Sequence, residues 1–181
     1  MTHEQIWAPW RICYIQGTHE KPPAQAPHPS LLPGADPQCF LCVDVADTAG
    51  HQQGVVWRGD RTITVLNRYP YNNGHLLVAP RRHLGRLDDL TPDEQLELSQ
   101  TLTRMVGLLE KTIQPQGFNI GLNLGRAAGA GLPGHLHWHI VPRWVGDTNF
   151  MPVLGNIHVI PQSLEALWEV LTAELGKEQQ G

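Results

Sequence analysis

His135-Leu136-His137-Trp138-His139-Ile140-Val141-Pro142 sets three histidines at a period of two, interleaved with Leu136, Trp138 and Ile140. On a strand that period sends the three imidazoles to one face and the bulky apolar side chains to the other. Few structural needs call for three adjacent imidazoles. With Asn67-Arg68-Tyr69-Pro70-Tyr71-Asn72-Asn73-Gly74-His75, a second strand-like segment, the pattern points to chemistry at a phosphate. A metal site and a fortuitous cluster are the alternative readings.

Outward from this strand the chain alternates between two periodicities. Val55–Arg58 and Thr62–Leu66 are β-rich stretches flanking Gly59-Asp60, which suits a hairpin. Gly74–Val78 reads as a third strand, and Phe118–Leu124 and His135–Val141 flank a glycine-rich loop. Between them, Leu90-Thr91-Pro92-Asp93-Glu94 is a helix start, with Thr91 as cap, Pro92 at the first helical position and Glu94 answering the cap. Leu98, Leu102, Met105, Val106, Leu109 and Ile113 then recur at spacings of three and four, a stripe that faces a sheet, and Pro115 and Gly117 close the helix. Ser163 opens a C-terminal helix whose Leu164, Leu167, Trp168, Val170 and Leu171 serve packing. Hairpin, long helix, then more strands describes an α+β domain.

A chain of 181 residues buries a full core in one domain without disulfide staples. We expect an N-terminal segment, 1–15, packing on the core, a loop or insertion over 16–38, the main domain over 39–176 and a polar tail over 177–181. Six prolines fall within 16–38. Cys13, Cys39 and Cys42 are too few and too unevenly placed for a disulfide scaffold, which suits a reducing cytoplasm. No apolar stretch has the length of a signal peptide or a spanning helix, so a cytoplasmic protein without membrane contact is expected. The formal charge of −4 gives no general attraction to a polyanion. Arg81, Arg82 and Arg86 make a local basic cluster rather than a nucleic-acid track. Trp7, Trp10 and Trp144 are candidates to frame a pocket mouth or a subunit contact.

The histidine run resembles the signature of the histidine triad family, His-x-His-x-His-x-x with apolar x. Trp7-Ala8-Pro9-Trp10-Arg11, Asn67-Arg68-Tyr69-Pro70, Gly74-His75-Leu76-Leu77-Val78-Ala79-Pro80 and Pro142 to Pro152 resemble its bacterial branch. The resemblance implies a five-stranded antiparallel sheet with a long helix and a C-terminal helix, and a homodimer. It implies an enzyme that cleaves a dinucleoside polyphosphate at the α-phosphate through a nucleotidyl-histidine, with water or a transfer acceptor. A phosphorylase, a nucleoside phosphoramidase and a non-enzymatic, zinc-stabilised nucleotide binder are the alternatives.

By the same resemblance His137 is the nucleophile, His139 stabilises phosphate charge and His75 supports the pair. Asn67 matches the asparagine that holds ribose hydroxyls. The glycines between Asn123 and Gly134 permit close backbone approach, so Asn123, Gly125, Arg126 and Gly131 are candidate phosphate contacts. Arg143 and Asn149, in a stretch resembling dinucleoside polyphosphate hydrolases and phosphorylases, are candidates for the distal phosphates or the second nucleoside, with a structural turn as the other reading. Ala130 to Gly134 offer no side-chain proton donor where other branches carry glutamine or serine, which argues against a simple transfer of phosphoramidase activity. The sugar-phosphate branch has glutamine at the third triad position, so His139 speaks against it.

Cys39-Phe40-Leu41-Cys42 has zinc-knuckle spacing, a weak signal alone. Bacterial relatives with this pair hold zinc with a histidine after a Pro-x-x-His turn and the first triad histidine, here His83 and His135. The implied set, Cys39, Cys42, His83 and His135, is a closed structural zinc site, and catalysis needs no cofactor.

Overall fold

The computed structural model describes residues 31–47, 54–148 and 159–178. A short helix α1 (Phe40–Ala46) precedes strands β1 (Val55–Arg58), β2 (Thr62–Leu66) and β3 (Leu76–Pro80). Helix α2 (Pro92–Ile113), strands β4 (Gly117–Leu122) and β5 (Trp138–Arg143), and helix α3 (Leu164–Glu178) follow. The strands form one five-stranded sheet in the order β1-β2-β3-β5-β4 with every neighbouring pair antiparallel. This is the expected α+β architecture.

The period-two pattern explains how the sheet divides the protein. Leu136 and Ile140 join Leu76, Val78, Met105, Leu108, Leu109, Leu167 and Leu171 in a core beneath α2 and α3, with Trp138 packed against it. On the opposite face Ile63, Val65, Leu77 and Ala79 meet Leu41, Cys42 and Val45 of α1 and the preceding Cys39. Full burial of one such Leu or Ile contributes about 1.5–3 kcal/mol. The histidines therefore project toward the smaller, α1 side.

Helix α2 begins as the sequence predicts: Thr91 accepts from the Glu94 amide, and the Glu94 carboxylate accepts from the Thr91 amide. It ends at Gln114, whose left-handed φ of 49° turns the chain before Pro115. The predicted stripe faces the core, with Leu108 added to it. In α3, Leu167, Leu171 and Leu175 carry the packing, while Val170 is exposed and lies off the buried face.

Three strand limits differ from expectation. The third strand starts at Leu76, the fourth runs from Gly117 to Leu122, and β5 starts only at Trp138. The register pairs Trp138 with Val78, so the ladder would next run toward Pro80. Proline has no amide to donate, and the Pro80 carbonyl instead accepts from His135 Nε2 at 2.8 Å. Helix α1 has no start signature in the sequence beyond the turn at Asp36, whose carbonyl accepts from the Cys39 amide. Of the 16–38 segment, 16–30 lie outside the described residues, as do Trp7, Trp10 and Cys13; Leu31, Leu32 and Ala35 pack against the α1 cluster.

Candidate functional site

Two side-chain clusters meet at His135, on the stretch leading into β5. In the first, His75 precedes β3, while His137 and His139 flank the start of β5. His75 and His139 lie with ring centroids 5.1 Å apart, as do His137 and His139. Gly74 makes the approach of His75 feasible. At its φ of +77° a Cβ would sit 2.5 Å from Ile113 Cδ1 and 3.0 Å from Pro142 Cγ.

The hydrogen bonds assign the protons. The Tyr71 amide donates to His75 Nδ1 at 3.1 Å, so that nitrogen carries the lone pair and Nε2 carries the hydrogen. His75 Nε2 then donates to His139 Nδ1 at 2.9 Å, which leaves the His139 proton on Nε2. His137 Nδ1 donates to the carbonyl of His135 at 2.8 Å, and its lone pair is on Nε2. Burial, then the neighbouring His139 and His137, pushes the His75 pKa down to about 3. Burial also lowers that of His137. Both imidazoles are therefore neutral at physiological pH, the form in which one nitrogen is a nucleophile.

Asn67 sits beside this cluster and is engaged with it. Its Nδ2 donates to His75 Nδ1 at 3.2 Å, and its Oδ1 accepts from the Tyr69 amide at 2.9 Å. Between Asn123 and His135 the backbone turns through left-handed glycines at Gly125 and Gly129, with Arg126 exposed and Gly131 in a bend.

The second cluster brings Cys39, Cys42, His83 and His135 together, one ligand atom each, all within 4.8 Å of one another. Cys39 Sγ lies 3.3 Å from His135 Nδ1, Cys42 Sγ 3.3 Å from His83 Nδ1 and 3.6 Å from His135 Nδ1. Tetrahedral zinc bonds of the usual length set N···S edges of roughly 3.5 Å, so these four residues fit that ion. His135 Nε2–H is held by the Pro80 carbonyl, which directs its Nδ1 lone pair into the cluster. The Cys39 thiol donates to Cys42, holding the Cys42 pKa below the ordinary thiol range and raising that of Cys39.

The remaining candidates lie apart. Arg143 is four residues beyond His139, about 13 Å along the strand. Its Nε and Nη2 donate to Asp147 at 2.6 and 2.8 Å and its Nη1 donates to Asn119 Oδ1 at 2.8 Å. Asn149 lies outside the described residues. Arg82 and Arg86 are paired with Glu94 and Asp88, which breaks up the basic cluster seen in the sequence. Tyr71, whose amide fixes the His75 proton, carried no signal beyond its place in the Asn67–His75 stretch.

The HIT domain family model matches residues 50–145. This protein belongs to the HIT family. An AP-4-A phosphorylase of Mycobacterium tuberculosis is 38% identical over 175 residues, spanning 97% of this chain and 86% of its own. An asymmetrical bis(5'-nucleosyl)-tetraphosphatase of Schizosaccharomyces pombe is 37% identical over 93 residues, 51% of this chain and 50% of its own. The crystal structure of a zinc-bound histidine triad family protein from Mycobacterium smegmatis superposes with a TM-score of 0.60 at 23% identity, over 78% of this chain and 96% of that one. With its histidine cluster intact, this HIT protein is an enzyme. No helix among the described residues is long and apolar enough to cross a membrane.

Proposed function

We propose that this HIT enzyme is a phosphorylase of dinucleoside polyphosphates, with diadenosine tetraphosphate as the type of substrate. The observation that carries the reading is the similarity, across nearly the whole chain, to an AP-4-A phosphorylase. It favours inorganic phosphate over water as the acceptor, and so phosphorolysis over hydrolysis. His137 Nε2 attacks the α-phosphorus, a P–N bond forms, and the bond to the bridging oxygen breaks. Nucleoside triphosphate leaves, and adenylyl remains on His137. Phosphate oxygen then attacks the same phosphorus, the P–N bond breaks, and ADP departs. His139 donates from Nε2–H to the phosphate oxygens, where charge grows in the transition state.

Asn67 offers its carboxamide to the ribose, and the backbone at Asn123, Gly125 and Gly131, with Arg126, cradles the phosphates. In this reading Arg143 serves the turn with Asp147, and Asn149 is assigned to the substrate side by resemblance alone. Cys39, Cys42, His83 and His135 would hold a zinc ion and so cross-link α1 to the loop ahead of β5. Four protein ligands would leave no position for substrate, so zinc held there would supply structure only. A second copy of the chain pairs along edge strand β4, where Ile120 is exposed.

The test is product analysis with labelled inorganic phosphate. Label entering ADP, with ATP as co-product, is the expected result. Equal turnover to AMP and ATP without phosphate would replace this reading with hydrolysis.

A further inference from the structure

We propose that Tyr71 is a positioning residue for His139, fixing the plane of its imidazole so that Nε2–H points at the substrate. The proposal rests on the reading above, in which that N–H donates to phosphate. The hydrogen bond from His75 Nε2 to His139 Nδ1 holds one edge of the imidazole. The Tyr71 ring covers one of its faces. It lies against His139 with centroids 5.7 Å apart and planes within 17°, and it also meets His75 at 4.6 Å. Stacking on a face opposes tilting of the imidazole plane, which a hydrogen bond at the ring edge resists less.

The tyrosine is itself held from two directions. Its own amide donates to His75 Nδ1. The next residue, Asn72, donates from Nδ2 to the Pro142 carbonyl at 3.1 Å and to Asp147 Oδ2 at 2.8 Å. Pro142 belongs to β5, the strand that carries His139. The Tyr71 turn and the third triad histidine are thus tied to one strand. Tyr71 is 43% exposed and belongs to neither core cluster, so its replacement opens no core cavity.

Turnover of diadenosine tetraphosphate by Tyr71→Leu and Tyr71→Phe in the full chain tests the proposal, with circular dichroism to verify the fold. Tyr71→Leu is expected to lower kcat about ten-fold, the order one aromatic pair supplies, with KM within about two-fold. Tyr71→Phe, which keeps the ring, is expected to recover most of that loss. Nitrogen-15 imidazole spectra of the Leu variant are expected to show the His139 Nε2–H signal broadened by ring motion. Wild-type kcat in the Leu variant, a loss confined to KM, or a Phe variant as impaired as the Leu one each overturns the positioning role. His137→Gly is the control. If it leaves turnover intact, the histidine chemistry itself fails; if it abolishes turnover while the Tyr71 variants are alike, only this inference fails.

Discussion

The imidazole of His137 donates from Nδ1 to the carbonyl oxygen of His135 across 2.8 Å. The side chain of that same His135 reaches Cys39 Sγ at 3.3 Å. One residue thus joins the cysteine–histidine cluster to the proposed nucleophile: its backbone fixes the proton of His137, and its ring belongs to the candidate metal-ligand set. Replacing His137 by Gly removes the only atom that forms the P–N bond in the proposed reaction. Turnover is expected to fall by at least about three orders of magnitude with an unchanged circular dichroism spectrum. Retained turnover in the folded variant would eliminate the covalent route. A phosphorus-31 signal of an Nε2-linked phosphoramidate in the quenched native enzyme would place the bond on the predicted nitrogen.

The histidine run was legible because alternation is a strong local signal, and Leu136 and Ile140 do face the helices as it requires. Cys39 and Cys42 could be paired with His83 and His135 only through family resemblance, since 41 residues of separation between Cys42 and His83 carry no periodicity. The start of β5 was misplaced because the ladder depends on what stands opposite, and proline at position 80 lies on another strand. Tyr71 and Asp147 escaped for the same reason. Tyr71 stacks on His139 and Asp147 accepts from Asn72, contacts between residues dozens of positions apart, while the Arg143–Asp147 pair, four apart, sits in a turn that carries no periodicity.

Asp147 is a stability residue. Its carboxylate, 9% exposed, accepts from Arg143 at two atoms, from Asn72 Nδ2 and from the Trp144 amide. The Arg143 hydrogen bonds come first in holding its pKa down to about 2. Asp147→Ala leaves a guanidinium and two N–H donors without that acceptor, and is expected to cost about 1–3 kcal/mol in urea unfolding. A cost under about 0.5 kcal/mol would show that water replaces the carboxylate.

Metal content tests the four-residue cluster. The protein prepared under reducing conditions without chelator is expected to carry one zinc per chain, and Cys39→Ser to carry far less. Loss of the ion is expected to raise hydrogen exchange at the amides of α1 and of residues 132–137, since Leu132 packs against the same cluster. A metal-free wild-type chain with fully protected amides would contradict the assignment.

Gly74 tests how closely the His75 turn is fitted. An alanine there must hold φ at +77° and place Cβ against Ile113 and Pro142. Left-handed backbone costs about 1 kcal/mol or more for alanine, and the clash with a packed core adds to it. Gly74→Ala is expected to lower the thermal midpoint by several degrees, about 2–4 kcal/mol in all, and to reduce kcat by displacing His75. An unshifted midpoint would mean that the turn yields easily.

Two buried groups act in opposite directions between pH 4.5 and 6. His75 titrates at about 3 in the folded chain against an ordinary 6.5. In that window the unfolded chain binds the proton and the folded one does not. Its stabilising contribution is full above 6.5 and is lost as pH falls, by up to about 1.4 kcal/mol per pH unit. Burial of His137 acts in the same direction. Asp44, buried on α1, is raised from 3.8 to about 6 by desolvation, which Arg68 and Arg58 oppose. Its contribution is full below 3.8 and is lost as pH rises through 6, so it offsets the histidines. Asp44→Asn removes the offset without removing the packing. With chelator present throughout, so that the thiol cluster contributes equally to both chains, the urea midpoint of the variant is expected to fall more steeply than that of wild type on going from pH 6 to 4.5. Parallel profiles would show that Asp44 is ionised normally and that its carboxylate reaches solvent or a cation.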